Sequence, residues 1–313
     1  MAEHSSRTAV IAALIGNLLI AVTKGVAAVI SGSSAMLSEA VHSVVDSGNE
    51  VLLLYGQHRA GKPPDRKLPL GYGREIYFWS FVVALLIFAL GAGVSIYEGI
   101  THLQHPVAMS DPLINFLVYG FAAVFEGISW WFGWKAFQRI RRGKGIMDAV
   151  RASKDPTSFM VLFEDSAALI GIAIAAAATG LSVHFQQPWI DGIGSILIGL
   201  VLAAVAVILA RESKALLIGE RAADELTDSL REATLRQPGV NGVEDVLTTQ
   251  LSPDQVIATL SVQFADSLDV PKLEKLIGRI ERELRSDHPE LFRVFVRPTP
   301  MRPQGMPAAA VSG

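Results

Sequence analysis

Apolar residues run along this chain in blocks of about 20 or more, the length a helix needs to cross a bilayer. Six such blocks are legible: residues 8–30, 34–56, 76–100, 112–134, 158–181 and 190–210. The pattern then changes near Glu220. "ADELTDSLREATLRQPG" reads as a helix closed by Pro-Gly. "GVEDVLTTQL" and "VIATLSVQF" read as partner strands across a Ser-Pro-Asp-Gln turn, the second with Val256, Ala258, Leu260, Val262 and Phe264 on one face. In "VPKLEKLIGRIERELRS", Leu273, Leu276, Ile277, Ile280 and Leu284 form a helical stripe, and "LFRVFVR" closes as a strand. The expected fold is an α-helical membrane protein with six transmembrane helices, followed by a small α-β-β-α-β unit. The expected domains are 1–214 in the membrane, 215–298 outside it, and a disordered tail over 299–313 that lacks periodicity. So small a unit is expected to pair with a second copy.

Composition agrees. Half of the 313 residues are hydrophobic and 18% are charged, low for a soluble chain of this length. There is no cysteine, hence no disulfide and no thiolate metal site. A signal peptide is the bland reading of the first block; Lys24 interrupts it, and no small-residue cleavage site precedes a soluble domain. The net charge of −3 hides a strong asymmetry. No Lys or Arg occurs from Glu75 to Trp134 or from Asp155 to Ala210. The loops after blocks two and four are basic, the latter including "RRGKG", and Arg211 and Lys214 follow block six. Positive loops stay inside, so three hairpins point outward and both termini are cytoplasmic. Short loops and a compact plan suggest a bacterial inner membrane, with an organelle membrane as the alternative. No nucleic-acid partner is expected.

Polar residues within the apolar blocks carry the chemistry. In "SEAVHSVVDSGNE", Glu39, His42, Asp46 and Asn49 are spaced 3, 4 and 3 apart and share one helix face. Each ionisable residue at bilayer depth costs roughly 2.5–3.5 kcal/mol on insertion scales, so the stripe must face protein, water or an ion. His42 and Asp46, one turn apart, offer a neutral imidazole and a carboxylate, both ligands for divalent first-row metals. A satisfied core histidine is the alternative for His42. Block five supplies Glu164 and Asp165. Helix neighbours point about 100° apart, so one site would use one of them directly; Asp165 is the first choice and Glu164 the second, against a helix-start acid pair.

Asn17 and Lys24, seven apart on block one, share a face; Lys24 either neutralises an acid or snorkels. Glu126 lies mid-span in block four and is a candidate for a proton path. Asp191 opens block six as a helix-start acid. Glu98 lies near an outer span end, and His102, His105 and His184 fall in outer loops, where they could concentrate metal, although scattered exposed histidines usually do nothing specific.

"SGSSAMLSEAVHSVVDSGN", "PLGYGREIYFWSFVVALLIFALGAGVSIYEGI" and "LFEDSAALIGI" together resemble the cation diffusion facilitator family of proton-coupled divalent-metal exporters, over nearly the full length. The resemblance implies a tetrahedral site between spans two and five, with His42, Asp46 and Asp165 as ligands. The fourth place falls on Val161, which cannot bind metal; Glu164, as in the branch with Glu-Asp here, or water completes the shell. It further implies a homodimer with ferredoxin-like cytoplasmic domains packed together. Leu68 stands where many members carry a histidine, so no loop metal site is expected. The C-terminal domain has only His288, which argues against a binuclear zinc site there. The implied activity is export of Zn²⁺, or of Mn²⁺, Co²⁺, Ni²⁺, Fe²⁺ or Cd²⁺, as cargo rather than cofactor. Metal binds the deprotonated ligands from the cytoplasm, the protein rocks outward, and protons displace the ion. The rivals are an intramembrane metalloenzyme with Glu164 as base, which lacks H-E-x-x-H; a membrane-anchored metal sensor, whose soluble domain lacks the ligands; and a proton-driven exporter of an organic solute.

Overall fold

The computed structural model describes residues 2–300 apart from 142 and 144, with side chains from residue 17 onward except 136, 139, 140, 151, 152 and 158. The expected disordered tail over 299–313 therefore lies almost wholly outside the described residues. The chain forms two compact units, Met1–Leu217 and Ile218–Gly313.

The first unit is helical throughout: α1 (Ala2–Ser31), α2 (Ser34–Ala60), α3 (Glu75–Leu86), a π-helical stretch at Ile87–Ala92, α4 (Gly93–Gln104), α5 (Pro112–Arg141), the short α6 (Ile146–Ala152), α7 (Pro156–Phe185) and α8 (Trp189–Ile218). Four stretches are long and apolar enough to cross a membrane: Glu75–Gln104, Pro112–Lys135, Phe159–Phe185 and Trp189–Ile218. Among the described residues of α1, Asn17–Ser31 is a shorter apolar stretch. α2, interrupted by Glu39, Asp46 and Glu50, is not among the four, because the residues that give it chemistry also lower its hydropathy.

Helix starts follow local signals. Ser33 caps α2 by accepting from the Met36 amide, and Asp155 caps α7 by accepting from the Thr157 amide, with Pro156 at the first position. α2 is central: it packs against α1, α3, α4 and α7, and α5 packs against both α1 and α7. Met36, Val83, Ala84, Ile87, Phe159, Met160, Ile198 and Leu202 fill the core. Val29, Tyr97, Leu113, Leu117 and Phe132 stay exposed, as side chains facing lipid would be. α4 and α8 cross where Gly99 and Gly192 meet; a Cβ on Gly99 would lie 2.6 Å from the Gly192 carbonyl oxygen.

The second unit has the expected order: α9 (Asp224–Leu235), β1 (Val240–Ser252), β2 (Gln255–Phe264), α10 (Val270–Asp287) and β3 (Leu291–Pro298). The sheet order is β1-β2-β3, with β1–β2 antiparallel and β2–β3 parallel. The hairpin register closes at Ser252 opposite Gln255. Val256, Ala258, Leu260 and Val262 of the central strand are buried against Leu276, Ile280 and Leu284 of α10 and Leu230 of α9. Helical and two-residue periodicities thus meet in one core.

Candidate functional site

α2 crosses the first unit with its polar face inward. Glu39, His42 and Asn49 are each at most 1% exposed. His42 Nδ1 lies 3.3 Å from Asp46 Oδ1, the contact that i and i+4 positions allow. The pair is at ion-pair distance but not in hydrogen-bond geometry: both ring nitrogens of His42 and Asp46 Oδ1 are buried without a hydrogen-bond partner. Buried polar atoms in native proteins are nearly always satisfied, so these point to a ligand or a proton.

Beside Asp46 lies a cavity of about 20 Å³, room for about one water-sized occupant. Asp46 and Glu50 of α2, Glu126 of α5, and Glu164 and Asp165 of α7 line it, with Asn17, Ser43 and Val161. α5 and α7 pack along each other, and α2 packs on α7, so helices remote in sequence bring acids to one place. Each acid of α7 has its own tether. Asn49 Nδ2 donates to Glu164 Oε1 at 3.1 Å, and Ser129 Oγ donates to Asp165 Oδ2 at 2.8 Å. Also on the cavity wall, Asn17 Nδ2 donates to Glu50 Oε1 at 2.7 Å.

The structure thus brings Asp46, Glu164 and Asp165 to one cavity, while His42 touches Asp46 from outside its lining. Val161, where the resemblance wants a fourth ligand, is on the cavity wall. Among the described residues no three His, Cys, Asp or Glu side chains are gathered closely enough to enclose an ion in this conformation. Glu126, singled out from its mid-span position, reaches the cavity too. Glu50 and Asn17 went unused in the sequence-based site, although 42, 46 and 50 form a series of four-residue steps that marks Glu50 out.

Two other polar residues have partners that the structure identifies. Lys24 does neutralise an acid: its Nζ lies 3.0 Å from Glu39 Oε2 and donates to Ser43 Oγ at 2.8 Å, with lysine and glutamate wholly buried. Asp191 sits in the first turn of α8, but it serves another helix. It accepts from Ser33 Oγ at 3.0 Å and from the Ala35 amide at 3.1 Å, binding the start of α2. In the loop after α2, Asp65 accepts from the Lys67 and Leu68 amides and from Tyr72 Oη, and those bonds hold its carboxyl below the usual aspartate range. That acid is committed to the turn. His105 and His184 are exposed, and His288 lies 3.1 Å from Ser229 Oγ.

The sequence matches two family descriptions in tandem. Residues 10–218 match the cation efflux transmembrane domain, and residues 222–300 match the cytoplasmic domain of cation efflux proteins. The chain belongs to the cation efflux family. Members of that family are transporters, not enzymes. It is 32% identical over 243 residues to the proton-coupled zinc antiporter SLC30A9, mitochondrial, of Homo sapiens, covering 77% of this chain and 43% of that protein. It is 31% identical over 284 residues to metal tolerance protein C4 of Arabidopsis thaliana, covering 89% of this chain and 61% of that one. The chain thus spans less than half the length of the antiporter. The match places the chain in a family of multi-pass membrane transporters that carry a cytoplasmic dimerisation-type domain.

Proposed function

We propose that this transporter exports a divalent transition-metal ion in exchange for protons, with Zn²⁺ as the first candidate and Mn²⁺, Co²⁺, Ni²⁺, Fe²⁺ and Cd²⁺ behind it. The single observation that carries the reading is the ion-sized cavity walled by acids of α2, α5 and α7. Its size favours a bare ion over an organic solute, whose pockets run to roughly 300 Å³ and more. The zinc antiporter relative supports the choice of cargo and of coupling ion.

In this reading six helices span the membrane, α1 and α2 included, since α1 has 30 residues and α2 has 27. The transmembrane domain is 1–214 and the cytoplasmic domain 215–298. His42, Asp46 and Asp165 bind the ion, with Glu164 or water completing the shell. The tethers on Glu164 and Asp165 must yield to let both turn toward one ion, which couples ligand binding to movement of α5 and α7. Protons compete with metal for the imidazole and carboxylates, so a proton gradient directed inward drives the ion out. The ligand set is poor in nitrogen and has no sulfur, so it does not favour zinc strictly over harder ions. The protein works as a homodimer, in a bacterial inner membrane with both termini cytoplasmic; the mitochondrial location belongs to the antiporter relative.

The test is metal-driven proton flux in liposomes with a trapped pH dye, each metal offered in turn. Wild type should respond to at least one. Asp46→Ala and Asp165→Ala should each reduce the response at least a hundredfold, the order lost when a transition-state or binding group is removed. Flux that survives both substitutions would place the site elsewhere.

A further inference from the structure

Glu39 belongs to the polar face of α2 that carries His42 and Asp46, yet it does not reach the cavity. Its Oε2 holds the Lys24 ammonium at 3.0 Å, and both side chains are wholly buried. Its Oε1 is buried without a partner and lies against Gly171 of α7, where any Cβ would collide with it. The same ammonium donates to Ser43 Oγ, and Ser43 lines the cavity. One lysine from α1 therefore stands between an acid and the cavity wall, one turn from a histidine whose two nitrogens are unpartnered.

We propose that Lys24 is a tethered counter-cation that withholds Glu39 from the transported ion. This inference rests on the transport reading above. Without the lysine, Glu39, His42 and Asp46 would form a ladder of three donors along one helix face. An ion held by all three would bind tightly and leave slowly. With it, Glu39 is saturated by a fixed charge, the ion is confined to the level of Asp46, and release is fast. A buried lysine that only joined two helices would be dispensable together with its partner, since a buried ion pair is often replaceable by neutral groups. A lysine that competes with cargo leaves a kinetic signature instead. Removing it strengthens binding and slows turnover together, the split between KM and kcat that separates ground-state binding from the rate step.

The experiment uses full-length protein in liposomes and initial rates against Zn²⁺ concentration. Lys24→Met should lower KM and kcat together by roughly tenfold, the effect of about 1.4 kcal/mol of added ion binding. Glu39→Gln, which leaves the ammonium uncompensated beside the cavity, should raise KM by a similar factor. The double variant Lys24→Met/Glu39→Gln should return KM toward wild type. If Lys24→Met does not fold, Glu39→Gln decides, and an unchanged KM overturns the proposal. A double variant whose KM stays as low as that of Lys24→Met also overturns it, because Glu39 would then not be the group the lysine withholds. Wild type that moves no metal would sink the transport reading itself; wild-type transport with KM constant across the variants would sink only this one.

Discussion

Val161 stands where the resemblance expects a fourth ligand, and the structure puts it on the wall of the acidic cavity. Val161→His would give the cavity an imidazole donor one turn from Asp165. Zn²⁺ binding, followed by isothermal titration of the purified protein, should tighten by about tenfold, and the preference for Zn²⁺ over Mn²⁺ should rise, since nitrogen suits zinc better than manganese. Unchanged binding of both ions would mean that the cavity is not where the ion sits. The choice between Glu164 and Asp165 was not legible from sequence. A 100° step between neighbours argues for a single direct ligand, but here both side chains reach the cavity because partners on different helices, Asn49 and Ser129, draw them there. Such partners are set by packing between helices, which has no local signature in the chain. The stripe on α2 was legible because a helix repeats its face within one segment.

The helices of the membrane unit were read from hydropathy wherever hydropathy alone decides. Block two was legible as a helix and forms α2, but its acids lower its hydropathy, so it is not among the four stretches apolar enough by themselves to cross a membrane. What places α2 is a set of polar ties that apolar periodicity does not encode. Asp191 grips its start, Lys24 its Glu39 and Ser43, and Asn17 its Glu50. The contacts step down antiparallel helices, with residue 17 level with 50 and residue 24 level with 39 and 43. The loop after α2 has its own organiser in Asp65. A carboxyl whose folded-state pKa is depressed stabilises its turn when ionised, and that stability is lost as pH falls through the folded value. The protection of the Lys67 and Leu68 amides, the slowing of their exchange relative to the intrinsic rate at the same pH, read by NMR or mass spectrometry, should therefore be high near neutral pH and be lost as pH drops below the ordinary aspartate range. Asp65→Asn should lack that protection at every pH. If protection of those two amides ignores both pH and the substitution, the turn is held by something else.

At the scale of the whole molecule the question is what covers the sheet of the C-terminal unit. One face of β2 is buried by α9 and α10. On the register row Leu247–Thr259–Phe295, which crosses all three strands, Leu247 is 62% and Phe295 52% exposed. A sheet with large apolar side chains on its second face is incompletely buried as a monomer, and a unit this small gains most from a partner. The match to a dimerisation-type domain makes a second copy the natural occupant. The alternation in β2 made the inner face legible, but an exposed Leu and Phe on the outer strands look like ordinary surface until the register aligns them. The full-length protein in detergent should therefore sediment as a dimer. Leu247→Asp/Phe295→Asp should shift it toward monomer without loosening the core, because both side chains are exposed rather than part of the buried cluster. The lowered dimer population would appear as a rise in dissociation constant of at least tenfold, the effect of about 1.4 kcal/mol at an interface. If transport needs the two copies to rock together, metal flux per chain should fall with the dimer fraction; flux that stays constant as the dimer dissociates would make each protomer a complete carrier.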